Sequence, residues 1–114
     1  YEDCAFLEAW PGVPVGNEEG EIITTALGDK RAILLSHHGQ LSTGANIEEA
    51  CVIAQLIERA AKLQLLAMSA GTVKPILPEL GREAHDWISK PKRHGAAFNY
   101  YARQNLRKHA DCLN

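Results

Sequence analysis

The stretch AILLSHHGQLSTGANIEEA, residues 32–50, decides how this chain is read. Ala32, Ile33, Leu34 and Leu35 do not alternate apolar with polar, so they predict a short strand buried on both faces. That strand runs directly into His37-His38-Gly39. Residues 40–43 then return as its hairpin partner, with the two histidines and the glycine at the bend. Asn46 opens the clearest helix of the chain, because an N-cap residue followed three positions later by Glu49 has the capping-box spacing. Ile47, Ala50, Ile53, Ala54, Ile57, Ala61, Leu65 and Met68 recur at three- and four-residue intervals. Glu58 and Lys62 form an i,i+4 pair in the favourable order, and Gly71 ends the pattern. The result is a long amphipathic helix of about six turns.

Upstream, residues 4–10 predict a strand carrying Phe6 and Trp10. Two prolines and two glycines within residues 10–17 make a loop. Asn17 is placed to cap a helix over residues 18–27. Glu18, Glu19 and Glu21 sit in its first turn, where carboxylates complement the helix dipole. Ile22, Ile23, Ala26 and Leu27 form its buried side and Gly28 its stop. Downstream, Pro75 and Pro78 keep the chain extended. A shorter helix begins at Pro78 or Glu79, with Leu80, Ala84, Trp87 and Ile88 on one side. Residues 89–92 break it. The last segment is a helix with Phe98, Tyr101, Asn105 and Leu106 along one side. Arg103, Arg107, Lys108 and His109 make its end basic.

The length of 114 residues suits a single domain, and a net charge of −2 exerts no general pull toward nucleic acid or an anionic membrane. Glu58, Arg59 and Lys62 interrupt the longest apolar stretch, so no membrane span is expected. No signal peptide is visible. Cys4, Cys51 and Cys112 are scattered and form no CxxC, as expected of reduced thiols in a cytoplasmic protein. The chain opens Tyr1-Glu2-Asp3 and its one methionine is Met68, which suggests that an upstream portion is missing.

His37-His38 is the candidate site. Imidazole is the commonest neutral nitrogen ligand for zinc and similar ions. A catalytic zinc takes three protein ligands and keeps a fourth position open. In an extended backbone adjacent side chains point to opposite faces, so the two histidines are not expected to share one ion. One would face a site and the other the packing; a plain polar turn is the alternative. His85, His94 and His109 show no HxH or HExxH spacing. No GxSxG, P-loop, GxGxxG or paired CxxC occurs.

The whole block from Asp29 through Gly71 resembles the C-terminal half of the class II aldolase/adducin family. The resemblance lies in Ala32 to Leu35, His37-His38-Gly39, Asn46-Ile47-Glu48-Glu49-Ala50 and the helix through Lys62-Leu63-Gln64, and covers roughly residues 5–80. It implies an α/β fold, part of an α/β/α three-layer sandwich with a mainly antiparallel central sheet. Residues 1–114 would be the C-terminal portion of one such domain. It implies tetramers with a divalent metal, most often Zn2+ and otherwise Mn2+ or another ion, near subunit contacts. The family's third metal ligand, the histidine before the glycine, falls on His38, with His37 structural or supporting. The first two ligands come as His-x-His from an earlier strand, which is absent here, as is the family's acid/base carboxylate. The partner implied is therefore the N-terminal portion of the same protein.

The resemblance further implies a lyase in which a bound ion stabilises an enediolate formed from a hydroxy-carbonyl or carboxylate substrate. Decarboxylase, sugar-phosphate epimerase or dehydratase, and a non-catalytic adducin-like scaffold are the alternatives. Tyr100, Tyr101 and Arg103 could reach a neighbouring active site as catalytic groups, with helix packing as their plainer role. By itself, this chain is expected to be inactive.

Overall fold

The structure, a computed structural model, describes residues 1–9, 12, 13 and 15–113, and side chains as far as residue 111. The element order is β1 (Cys4–Leu7), α1 (Glu18–Leu27), β2 (Ala32–Leu35), β3 (Gly39–Ser42), α2 (Ile47–Ala70), α3 (Pro78–Ile88) and α4 (Pro91–Lys108). A short 3-10 turn, Ala110–Leu113, follows. The strand expected over residues 4–10 is confined to β1. Trp10, Pro11 and Pro14 of the adjoining loop lie outside the described residues.

β2 is the middle strand. It pairs parallel with β1, Ala5 opposite Ile33, and antiparallel with β3, Ile33 opposite Leu41. The three strands therefore form a small mixed sheet, with one parallel and one antiparallel pairing. The parallel pair follows from connectivity. α1 carries the chain from the end of β1 back to the start of β2, and a crossover of that length joins parallel strands.

Side-chain alternation sorts the sheet into two faces. On one, Ala5, Ile33 and Leu35 form the core, joined by Leu7, Leu41 and the Ile23, Ala26 and Leu27 side of α1. Ile33 is fully buried at 0% exposure. On the other, α2 lies against β3: Ser42 Oγ donates to the Ala50 carbonyl at 2.9 Å, and Gln40 Nε2 to the Ala54 carbonyl at 3.3 Å. The expectation that β2 is buried on both faces fails at Leu34, which is half-exposed beside the exposed Phe6 of β1.

α2 begins as its sequence predicts. Asn46 is extended, and its side chain accepts from the Glu49 amide at 2.9 Å. Glu49 reaches back to the Ala45 amide rather than that of Asn46. Asn17, by contrast, makes no side-chain cap on α1. It sits in the right-handed helical region, where the extended geometry a cap needs is absent. Only Val52 and Ile53 of α2 are buried, and residues 58–70 are exposed all round. The predicted stripe therefore fails at both ends: Ile47, Leu65 and Met68 face solvent. α4 packs along α2 and begins at Pro91, so the break expected over residues 89–92 is confined to residues 89 and 90, because proline is tolerated in the first helical turn. Among the described residues no helix is long and apolar enough to cross a membrane.

Candidate functional site

The His37-His38 turn is built by the hairpin. Ser36 to His38 link β2 to β3, and the His38 amide donates to the Leu35 carbonyl at 3.1 Å. His37 takes φ 60°, the left-handed region that a three-residue hairpin link calls on and that glycine occupies most readily. The backbone here is a turn, so the opposite-faces argument made for an extended chain does not apply. Both imidazoles are exposed. Among the described residues no three histidine, cysteine, aspartate or glutamate side chains gather where an ion could be held. A single imidazole does not make a catalytic metal centre, so the described residues do not complete one.

The other candidates lie on α4. Tyr100 and Tyr101 stack edge-to-face with ring centroids 5.6 Å apart, and Gln104 Nε2 donates to the Tyr100 hydroxyl at 2.6 Å. Arg103 is exposed. These contacts are those of helix side chains with helix neighbours.

A second polar cluster forms around Arg31, the residue that directly precedes β2. Arg31 Nε donates to Asp3 Oδ2 at 2.6 Å, and its Nη2 forms an ion pair with the same oxygen. Nη1 donates to Glu49 Oε1 at 3.0 Å, and Nη2 to Ser89 Oγ at 2.7 Å. The Arg31 amide donates to Asp3 Oδ1 at 2.9 Å. His85 Nε2 stands 3.1 Å from Arg31 Nη2 and 3.2 Å from Asp3 Oδ2. One guanidinium thus ties together the chain's start, β2, the first turn of α2 and the α3–α4 junction. The planar fork of arginine suits this role, since its donors leave in several fixed directions.

Burial of Asp3 works to raise its pKa, but hydrogen bonds from the Arg31 side chain and backbone and from His85 outweigh it and hold the carboxyl below its ordinary value. Glu49 is lowered chiefly by the Ala45 amide, with Arg31 adding to it against a desolvation cost. For Arg31, burial works to lower the pKa, but the bonds to Asp3 and Glu49 raise it. Burial pushes the Cys4 thiol up, away from the reactive thiolate. His94, only 4% exposed, brings Nδ1 to 3.4 Å from Glu49 Oε1, too long for a good hydrogen bond. No sequence motif marks this cluster: its members are spread from residue 3 to residue 94. The one local hint is Glu49, already singled out by the capping box.

Comparison with known proteins places these features in context. The family described as "Class II Aldolase and Adducin N-terminal domain" matches residues 1–65. A putative aldolase class 2 protein of Caulobacter vibrioides is 35% identical over 65% of this chain and 29% of its own length. A 4-hydroxy-3-prenylphenylpyruvate oxygenase/4-hydroxy-3-prenylbenzoate synthase of Streptomyces roseochromogenus is 30% identical over 72% of this chain and 30% of its own. The solved L-fuculose 1-phosphate aldolase of Glaciozyma antarctica superposes with a TM-score of 0.79 at 27% identity, over 96% of this chain and 40% of that one. This chain therefore spans about a third of the length of the relatives it matches.

Proposed function

This chain belongs to the class II aldolase and adducin family, and we propose that it is the C-terminal portion of a metal-dependent carbon–carbon lyase. The observation that carries the reading is the family match across residues 1–65, which includes the His37-His38-Gly39 turn. That turn presents His38 at the end of a buried strand. In this reading His38 is one ligand of a divalent ion, with zinc favoured. The remaining ligands and the acid/base carboxylate belong to an N-terminal portion, whose strands complete an α/β/α sandwich. The complete protein acts in the cytoplasm on a small hydroxy-carbonyl or carboxylate substrate and assembles as a homo-oligomer.

A physical observation also supports a larger assembly. Leu63, Leu65, Leu66 and Met68 are all exposed on the distal half of α2. Large apolar side chains grouped on one stretch of helix surface are those another element ordinarily covers. A decarboxylase is the second reading, favoured by the 29% identity to a decarboxylase of Streptomyces niveus over 72% of this chain.

The test is zinc binding by the chain alone and by the chain co-expressed with the N-terminal region of a family member. Weak, non-stoichiometric binding alone, rising to one ion per complex and lost in His38→Gln, is the expected result. A monomeric 114-residue chain that holds zinc stoichiometrically would overturn the proposal. Substrate panels of aldol donors and of 2-oxo acids then separate lyase from decarboxylase.

A further inference from the structure

Charge is divided unevenly along this chain. Lys90, Lys92, Arg93, Arg103, Arg107 and Lys108 make up half of its 12 lysines and arginines, and Asp111 is the one carboxylate side chain after Asp86. The earlier residues are acidic enough to bring the net charge to −2. All of these cations except Lys90 lie on α4, which carries no carboxylate.

Helix electrostatics accounts for only part of this. Arg107 and Lys108 sit in the last turn, where the dipole favours a positive charge. Lys92 and Arg93 sit in the first turn, where the dipole opposes one. Arg103 and Arg107 are like charges one turn apart, which repel. Among the described residues, none of Lys92, Arg103, Arg107 and Lys108 pairs with a carboxylate.

The cations share a side of the helix. At about 100° per residue, Lys92, Tyr100, Arg103 and Arg107 fall within about a quarter turn. All four are exposed. His94, Phe98 and Tyr101 fall on the opposite side, toward α2, where His94 meets Glu49. Arg93 and Lys90 carry the strip past the start of the helix, stacked 4.0 and 4.3 Å from the Trp87 ring centroid. From Lys92 to Arg107 the strip is about 22 Å long, at 1.5 Å per residue.

Its chemistry and its length select the occupant. Tyr100 is the one large side chain with apolar surface in that quarter turn, so the face lacks the apolar core of a permanent interface. It differs in this from the exposed leucines of distal α2, which suit cover by the rest of the same protein. Asp86 before Trp87 and Asp111 beyond Lys108 bound the strip in sequence, so a long polyanion that ran past it would meet carboxylates. A short acidic segment fits between them. Glutamates four apart on a helix recur about every 6 Å, the spacing of Arg103 and Arg107. Arginine accepts a carboxylate through two parallel hydrogen bonds.

We propose that the outer side of α4 is a docking surface for an acidic segment of another protein, held through Lys92, Arg103 and Arg107. The association is electrostatic, reversible and salt-sensitive. It goes beyond the lyase reading and stands without it.

Fluorescence polarisation of a labelled glutamate decapeptide tests the proposal. The parent chain should bind it with a micromolar dissociation constant, weakening about tenfold as salt rises from roughly 0.05 to 0.2 M. Lys92→Gln with Arg103→Gln and Arg107→Gln should weaken binding by about tenfold or more at low salt, with circular dichroism unchanged. A charge-matched variant, Arg59→Gln with Lys62→Gln and Lys74→Gln, also alters exposed residues and should bind within about twofold of the parent. No binding by the parent chain, or equal losses in the two variants, would overturn the proposal. Tighter binding of a thymidine decanucleotide than of the peptide would make the partner a nucleic acid and overturn it as well. So would loss of peptide binding when the chain is co-expressed with the N-terminal region of a family member, since the strip would then be covered within the complete protein.

Discussion

The Arg31 cluster and the His37-His38 turn are both built from titratable side chains, yet they use them in opposite ways. Arg31, Asp3 and Glu49 satisfy one another inside the chain and join segments far apart in sequence. The turn joins only neighbouring strands and leaves both imidazoles exposed. A cluster whose groups saturate one another holds a fold together. An exposed pair in the turn after a rigid strand stands at the surface and ties no distant segments together. The two regions should therefore respond differently when broken.

The largest effect is expected at Arg31. Arg31→Met would leave the Asp3 and Glu49 carboxylates part-buried without their cation. Loss of one partner from a fully buried pair costs about 3–5 kcal/mol. With a quarter of the Arg31 side chain exposed, solvent screening reduces the expected loss to about 2–3 kcal/mol. The midpoint of urea denaturation, at unchanged slope, measures it.

Gly44 tests the same cluster through its backbone. A Cβ there would stand 2.8 Å from the Ala50 nitrogen and 2.8 Å from the Glu49 Cβ. Gly44→Ala must displace the first turn of α2, with an expected loss of about 1–3 kcal/mol. Retained stability would show that Glu49 can shift without loss.

The turn is expected to be sensitive to shape rather than to charge. His37→Val places a β-branched residue at φ 60° and should cost about 1–2 kcal/mol. His37→Gly should stay within about 0.5 kcal/mol of the parent chain, since it removes the strain but adds chain entropy.

The gentlest probe is acid. Asp3 and Glu49 have pKa values held below their ordinary ones. Their contribution is complete above the range in which free carboxylates titrate, and is lost as pH falls through it and on through the lowered folded values. Stability should therefore fall with pH below about 4.5, and less steeply in Arg31→Met. Parallel curves for the two proteins would mean that the acid response comes from other carboxylates.

Much of the fold could be read locally, because short-range rules govern it. The bounds of α1, β2 and α2 follow from glycine stops, an unbroken apolar run and a capping box. The family was legible because the residues on either side of His38 carry its pattern. The Arg31 cluster was not, since Asp3, Glu49, His85 and Ser89 have no shared spacing and meet only after four segments pack. Burial was misjudged for one physical reason. Periodicity shows which side of a helix is apolar, and it does not show whether anything lies against that side. Leu80, Trp87 and Ile88 form the stripe expected, and face solvent.

The sequence by itself determined the element order, the hairpin with its histidine bend and the family. These depend on residues within one turn or one strand of each other. Only the tertiary structure decided that the sheet is mixed, that Arg31 clasps α3 to the strands, and that the apolar sides of α3 and distal α2 stand uncovered. Those outcomes depend on contacts between distant segments, where chain entropy, charge pairing and packing compete, and no local spacing records which one wins.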